Sequence, residues 1–278
     1  MKINKILNNN VVIVTLNGEE TVVMGKGLAF GKKVGQSFDE KLIEKVFKLQ
    51  AEDRNKLVSL ISELKPEVLQ VSSKIIERAN LIYSNNLSES VYIALTDHIN
   101  YAITRSEEGI HIKNALLYEI RQLYRKEYEI GLYGIKLINE TFNVALPEDE
   151  AGFIALHIVN ASLNEDMNNI YEITKTTQDI VNIVRYHFNL HLKEDELSFA
   201  RFLTHLKFFS QRILSGEVLI EISDETLLDS LKSKYPESYQ CVLKIKDYIN
   251  NRYDHVLSND EMMYLILHIA RLLKSDKK

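Results

Sequence analysis

Asp149-Glu150-Ala151-Gly152-Phe153-Ile154-Ala155-Leu156-His157-Ile158 returns near the end of the chain as Asp260-Glu261-Met262-Met263-Tyr264-Leu265-Ile266-Leu267-His268-Ile269. Each stretch opens on two acids, which suit the positive end of a helix, and reaches Leu-His-Ile two turns later. The two histidines are 111 residues apart. Upstream, Leu95-Thr96-Asp97-His98 has a shorter echo in Leu203-Thr204-His205, at an offset of 107. Two echoes in the same order at nearly equal offsets predict a duplicated domain of roughly 105 residues.

The apolar spacing around these stretches is that of amphipathic helices. Helices are predicted over 53–63, 67–83, 88–105, 112–127, 129–142 and 148–161, then over 171–188, 194–214, 223–233, 235–252 and 258–274. Pro66, Pro147 and Pro236 fall near helix starts, where a missing backbone donor costs least. A polar stretch from Asn164 to Asn169 reads as a linker or exposed turn between the copies.

Ahead of the helices the rhythm changes. Ile3 to Leu7, Val11 to Leu16 and Thr21 to Met24 are short β-branched runs, and Asn17-Gly18 between the last two is a hairpin signal because both residues tolerate positive φ. A small antiparallel sheet is expected, followed by a helical turn from Asp39 through Lys48. Such a module has little core of its own, which makes dimerisation a source of stability. The expected fold is thus multidomain, a small antiparallel β module followed by two duplicated all-α domains.

Composition narrows the chemistry. The chain has 278 residues, 45% of them hydrophobic, enough for real cores throughout. Its formal charge of −5 argues against a polybasic nucleic-acid binder as a whole, yet residues 1–56 hold ten Lys or Arg against seven Asp or Glu. Any nucleic-acid affinity is therefore local to that segment. The single cysteine, Cys241, excludes an internal disulfide and a cysteine zinc cluster and reads as a buried small hydrophobe. No signal peptide opens the chain and no apolar run approaches a membrane span, so the expected compartment is the cytoplasm.

Within the basic segment, Met24 to Lys33 reads Met-Gly-Lys-Gly-Leu-Ala-Phe-Gly-Lys-Lys. Gly25 and Gly27 permit close backbone approach, Lys26, Lys32 and Lys33 attract phosphate, Phe30 offers a stacking face, and Asn10 carries amide groups that can read a base edge. The same residues also suit turns, a small core and a solvated face. No phosphate-binding loop or dinucleotide fingerprint is present, so an ATP or NAD enzyme is poorly supported.

His98 with His157, and His205 with His268, are placed to meet across a groove in each copy. Paired histidines can take a phosphoryl group on a ring nitrogen, and the added charge then alters an interface. Satisfied core or interfacial histidines explain the same pattern. Metal binding competes too, but no His-Glu-x-x-His or His-Cys cluster accompanies either pair. Asp97 is a candidate regulatory partner of His98, although Thr204 takes its place in the second copy. His111, His187, His191 and His255 have no echo and read as surface or helix-end residues.

Ile3-Asn4-Lys5-Ile6-Leu7-Asn8-Asn9-Asn10 and Met24-Gly25-Lys26-Gly27-Leu28-Ala29-Phe30, joined to two helical domains with paired histidines, resemble the BglG/SacY family of transcriptional antiterminators, in its β-glucoside-responsive branch. The resemblance spans nearly the whole chain. It implies a co-antiterminator RNA-binding domain at 1–56, a linker or connecting helix at 57–63, and PTS regulation domains at 64–169 and 170–278. It also implies a homodimer that binds an antiterminator hairpin in leader mRNA and prevents terminator formation. Asn10, Gly25, Lys26, Gly27 and Phe30 match family positions on that RNA surface, and Lys5, Asn8, Lys32 and Lys33 are added as contacts or electrostatic support. By the same resemblance, His98, His157, His205 and His268 are regulatory phosphoacceptors. HPr and the EIIB domain of a sugar-specific permease of the phosphotransferase system are the implied partners, with no cofactor, no metal, no catalytic residue and no direct sugar ligand. A histidine phosphotransfer enzyme or relay is the competing reading.

Overall fold

Strands β1 (Ile3–Asn8), β2 (Val11–Leu16), β3 (Glu19–Met24) and β4 (Lys45–Phe47) form one antiparallel sheet in the order β1-β2-β3-β4. The computed structural model describes residues 1–47, 51–84, 86–163, 167–190, 197–216 and 225–276. β2 and β3 join at Asn17-Gly18, both at positive φ, as the hairpin signal predicts. Strand periodicity then sorts the side chains. Val12, Val14 and Val23 pack on one face with Ile3, Leu28, Ala29 and Phe38. Val11, Ile13, Val22, Met24 and Phe47 face the other way and share a core with Leu57 and Ile61. The module's limited core is thus extended by helices that follow it in the chain.

One expectation fails here. The stretch after Asp39 forms only a 3-10 turn, Glu40–Leu42, and then becomes strand β4. Asp39 does cap the turn, its Oδ1 accepting from the Lys41 N–H at 3.0 Å. Propagation stops because the edge of β3 offers backbone partners, with Val22 opposite Phe47 and Val23 opposite Val46, and β-branched and aromatic side chains suit that surface. Phe47 is buried there and meets Tyr92 edge-on at 5.0 Å. Lys48 lies outside the described residues.

The helices run α1 (Ala51–Glu63), α2 (Pro66–Tyr83), α3 (Val91–Glu107), α4 (Leu117–Leu123), α5 (Arg125–Phe142) and α6 (Glu148–Leu163), then α7 (Met167–Phe188), α8 (Leu197–Ser215), α9 (Glu225–Lys234), α10 (Pro236–Tyr253) and α11 (Asn259–Asp276). Pro66 and Pro236 stand at first helical positions, as their missing N–H favours. The helix expected over 112–127 shrinks to α4. Residues 110–114 form no helix, the Asn114 N–H donating to Asp149 Oδ1 at 2.7 Å instead, and Tyr124 leaves helical geometry with its ring buried. Of the predicted linker, residues 164–166 lie outside the described set, and Met167 to Asn169 already belong to α7.

Two compact units result, Met1–Ala115 with Lys126–Glu165, and Leu116–Arg125 with Asp166–Lys278. In the first, the α5 and α6 backbones touch, and a Cβ at Gly131 would stand 2.1 Å from the Ala151 carbonyl oxygen. The second has its own core, in which Cys241 is fully buried and burial pushes its thiol up to about 12, well away from nucleophile chemistry. α3 and α8 carry His98 and His205, and α6 and α11 carry His157 and His268, so both pairs occupy equivalent helices.

Candidate functional site

In the first unit the amphipathic faces of α3 and α6 bring His98 against His157, ring centroids 4.8 Å apart, with Phe153 at 5.9 Å from His98. The pair is not alone. Glu150, at the start of α6 and only 3% exposed, places Oε2 3.2 Å from His98 Nε2 and receives Arg105 Nη2 on Oε1 at 3.0 Å. Asp97 is exposed on the solvent side of α3. Glu150 therefore occupies the position beside the imidazole, and Asp97 does not. His157 Nδ1 is sealed from water without a hydrogen-bond partner, and burial, reinforced by His98, pushes the imidazole down to about 3.

The second unit repeats the pair on α8 and α11. His205 and His268 lie closer, at 3.8 Å between centroids, and Tyr264 packs against both rings while its hydroxyl donates to the His205 carbonyl at 3.1 Å. Burial lowers both imidazoles, helped by Arg271, and takes His268 down to about 4. Glu261, the counterpart of Glu150, looks elsewhere. It accepts from the Ser258 N–H and Oγ at 2.9 and 3.2 Å and stands 3.4 Å from His255 Nε2.

A neutral imidazole keeps a lone pair for attack on phosphorus, so these environments suit acceptance of a phosphoryl group. They also set a pH dependence. The unfolded chain takes up protons near the ordinary histidine value of about 6.5, whereas folded His157 and His268 resist until about 3 and about 4. Stability is therefore full above that ordinary value and falls as pH drops from 6.5 towards 4. Urea melts at pH 7 and pH 5 should show the loss, and a His157→Phe, His268→Phe double variant should lose less between the two pH values than the parent chain does.

Of the remaining histidines, His111 is exposed, His187 ends α7 against Phe188 at 4.6 Å, and His191 lies outside the described residues. Among the described residues no group of three His, Cys, Asp or Glu is placed to hold a metal ion, and no helix is long and apolar enough to cross a membrane.

The other candidate surface is built by the turn between β1 and β2 meeting the glycine loop after β3. Asn10 Oδ1 accepts from the Gly27 N–H at 2.7 Å, its carbonyl accepts from Gly25 at 2.8 Å, and its own N–H reaches Asn8 Oδ1 at 2.8 Å. Asn8 and Asn10 thus hold the loop in shape. Gly25 has to be glycine, since a Cβ would fall 1.8 Å from the Leu42 carbonyl oxygen. Leu28 and Ala29 anchor the loop in the core, and the same chain direction throws Phe30 outward, 75% exposed. Lys5, Lys26, Lys32 and Lys33 are all exposed in this module. An apolar ring held in water by a glycine-shaped, basic loop adds little to the fold and leaves a face open to stacking.

A basic β module with a presented aromatic, joined to duplicated helical domains that each pair two histidines, marks a class: a regulator with a nucleic-acid-binding module ahead of two repeated helical domains. A family model for the CAT RNA binding domain matches residues 1–56, and one for the PRD domain matches residues 73–161 and 178–272. The chain is 49% identical to transcription antiterminator LicT of Bacillus subtilis, over 99% of both chains, and 45% identical to the beta-glucoside operon antiterminator of Dickeya chrysanthemi, over 98% and 96%. The crystal structure of GlcT CAT-PRDI aligns with a TM-score of 0.53 at 36% identity, covering 58% of this chain and 96% of that one. This chain belongs to the BglG/SacY family of transcriptional antiterminators, as its motifs imply. It is a sugar-responsive, non-catalytic regulator controlled by phosphorylation of the phosphotransferase-system type.

Proposed function

We propose that residues 1–56 of two chains together grip an imperfect RNA hairpin in a nascent leader transcript, and that the regulatory domains at 64–169 and 170–278 decide whether they can. The hairpin overlaps the terminator, so holding it lets polymerase continue into sugar-utilisation genes. His98 and His157 receive an inhibitory phosphate linked to the EIIB domain of a sugar permease. His205 and His268 receive an activating phosphate from HPr. Sugar is sensed through the permease and needs no pocket here.

The observation that supports this reading best is the meeting of two imidazoles in each repeat, at 4.8 and 3.8 Å, with one member of each pair strongly held neutral. Helix α3 then links chemistry to RNA. Six residues before His98 on the same helix, Tyr92 packs on Phe47 of the module, and Glu89 just ahead of α3 pairs with Lys45 at 3.1 Å. A charge added at His98 displaces the helix on which the β sheet rests.

In vitro transcription of a leader template tests the proposal. Adding the folded dimer should raise the full-length transcript on a matching hairpin and leave a scrambled hairpin terminating as before. Equal termination with and without bound protein would sink it.

A further inference from the structure

Arg105 is buried to 6% side-chain exposure in α3, yet only Nη2 has a hydrogen-bond partner, while Nε and Nη1 have none. A guanidinium carries five donors, and leaving buried ones unmade costs free energy, so such a group ordinarily has a further acceptor. Glu150 is its one hydrogen-bond partner, beside the Tyr101 ring at 4.7 Å from the guanidinium, and the other Glu150 carboxylate oxygen stands 3.2 Å from His98 Nε2 without hydrogen-bond geometry. Arg105 therefore stands one carboxylate away from the imidazole. It lies seven residues after His98, two helical turns along the same face, and long helical side chains lean back towards the N-terminus.

We propose that Arg105 is a positioning residue that binds the phosphoryl group of the first histidine pair, the phosphate replacing Glu150 as its partner. The proposal rests on the reading of His98 and His157 as phosphoacceptors. A phosphohistidine brings further negative charge and several acceptor oxygens within the reach that Glu150 now spans. Glu150 is repelled, which frees Nη2, and the phosphate then takes Nη2 together with Nε or Nη1 in the planar, two-pronged geometry that arginine matches and lysine does not. The exchange pulls α3 and α6 into a new relation, because Glu150 belongs to α6 and Arg105 to α3.

The second repeat has the arginine without the latch. Arg212 follows His205 by the same seven residues, its Nε is likewise buried with no partner, and its guanidinium lies 5.6 Å over the Tyr264 ring as that of Arg105 lies over Tyr101. Glu261 is held by Ser258 and His255 instead. Phosphate there meets an arginine with no carboxylate to release, which gives the two repeats different mechanical responses to the same modification.

The test uses full-length Arg105→Gln, Arg105→Lys and Glu150→Gln with a phosphorylated permease EIIB domain as donor. Two quantities are read for each, phosphate occupancy at His98 and His157 by mass spectrometry and hairpin affinity before and after phosphorylation. In the parent chain phosphorylation should weaken hairpin binding by roughly tenfold, within the usual span of coupled sites. Arg105→Gln should reach comparable occupancy and respond by less than about twofold, with Arg105→Lys between. Glu150→Gln should keep part of the response, clearly above that of Arg105→Gln, since it loses the carboxylate to be released but keeps the arginine that binds the phosphate. A parent-like response in Arg105→Gln at equal occupancy overturns the proposal. So does equal loss in Arg105→Gln and Glu150→Gln, the result for a merely structural ion pair. A parent chain whose His98 and His157 take no phosphate overturns the phosphoacceptor reading itself, and one that takes it without any change in binding overturns its inhibitory role and this proposal with it. Thermal melts of all variants, and the intermediate response of Arg105→Lys, separate these results from misfolding.

Discussion

Replacing His98 and His157 together by alanine is expected to leave antitermination active without inducer, whereas replacing His205 and His268 should depress it even with inducer present. The two effects have opposite signs because the inhibitory and activating phosphates enter different repeats. Each should approach the span of ordinary allosteric coupling, about 5- to 150-fold in a leader-terminator reporter. Alanine also removes packed rings. His98 and His157 pack together at 4.8 Å, and His205 and His268 at 3.8 Å against Tyr264, so each variant needs a melt and a dimer measurement beside the reporter. Site mapping by mass spectrometry shows whether the surviving pair still takes phosphate. The same inducer response in both folded double variants would refute the division of roles, and onward transfer of phosphate from this chain to another acceptor would favour a relay.

The parts of this molecule that sequence exposes are those fixed by local chemistry. Asn17-Gly18 specifies a turn from its own φ preferences, and the Leu-His-Ile echoes locate equivalent helices because duplication preserves spacing. Strand β4 was hidden for the opposite reason. Leu42, Ile43, Val46 and Phe47 suit a helical face, and only the open edge of β3, distant in sequence, selects the strand. The site was half visible. The histidines announce themselves by repetition, but Glu150 reads simply as a helix-start acid until α3 is set beside it. Arg105 and Arg212 offered a usable signal, since both follow a repeated histidine by seven residues. Asn10 shows how one residue can hold two roles, for its side-chain oxygen is already engaged by Gly27.

That engagement shapes what Phe30→Ala, Asn10→Ala and Lys26→Ala should each do to binding of a matching leader hairpin. Phe30 is 75% exposed on a loop anchored through Leu28 and Ala29, so its removal costs the fold little and the complex a stacking surface. A lost base stack is worth about 1–3 kcal/mol, or roughly 5- to 150-fold in Kd. Asn10→Ala removes the acceptor that fixes Gly27, at 2.7 Å, along with any base-edge contact. Its effect should therefore combine lost contact with a loosened loop and appear partly as lower melting temperature. Lys26→Ala should weaken binding evenly across hairpin sequences and flatten the salt dependence by somewhat under one unit of log–log slope, the signature of one phosphate contact. The three signatures differ, so titrations at several salt concentrations, paired with melts of correctly dimeric protein, separate stacking, shape and charge. Unchanged affinity in all three variants would remove this loop from the RNA surface. Equal binding of the same hairpin as RNA and as DNA would remove the reading of a specific RNA ligand, because a surface that reads only phosphate charge does not distinguish the two, while one that reads the A-form groove does.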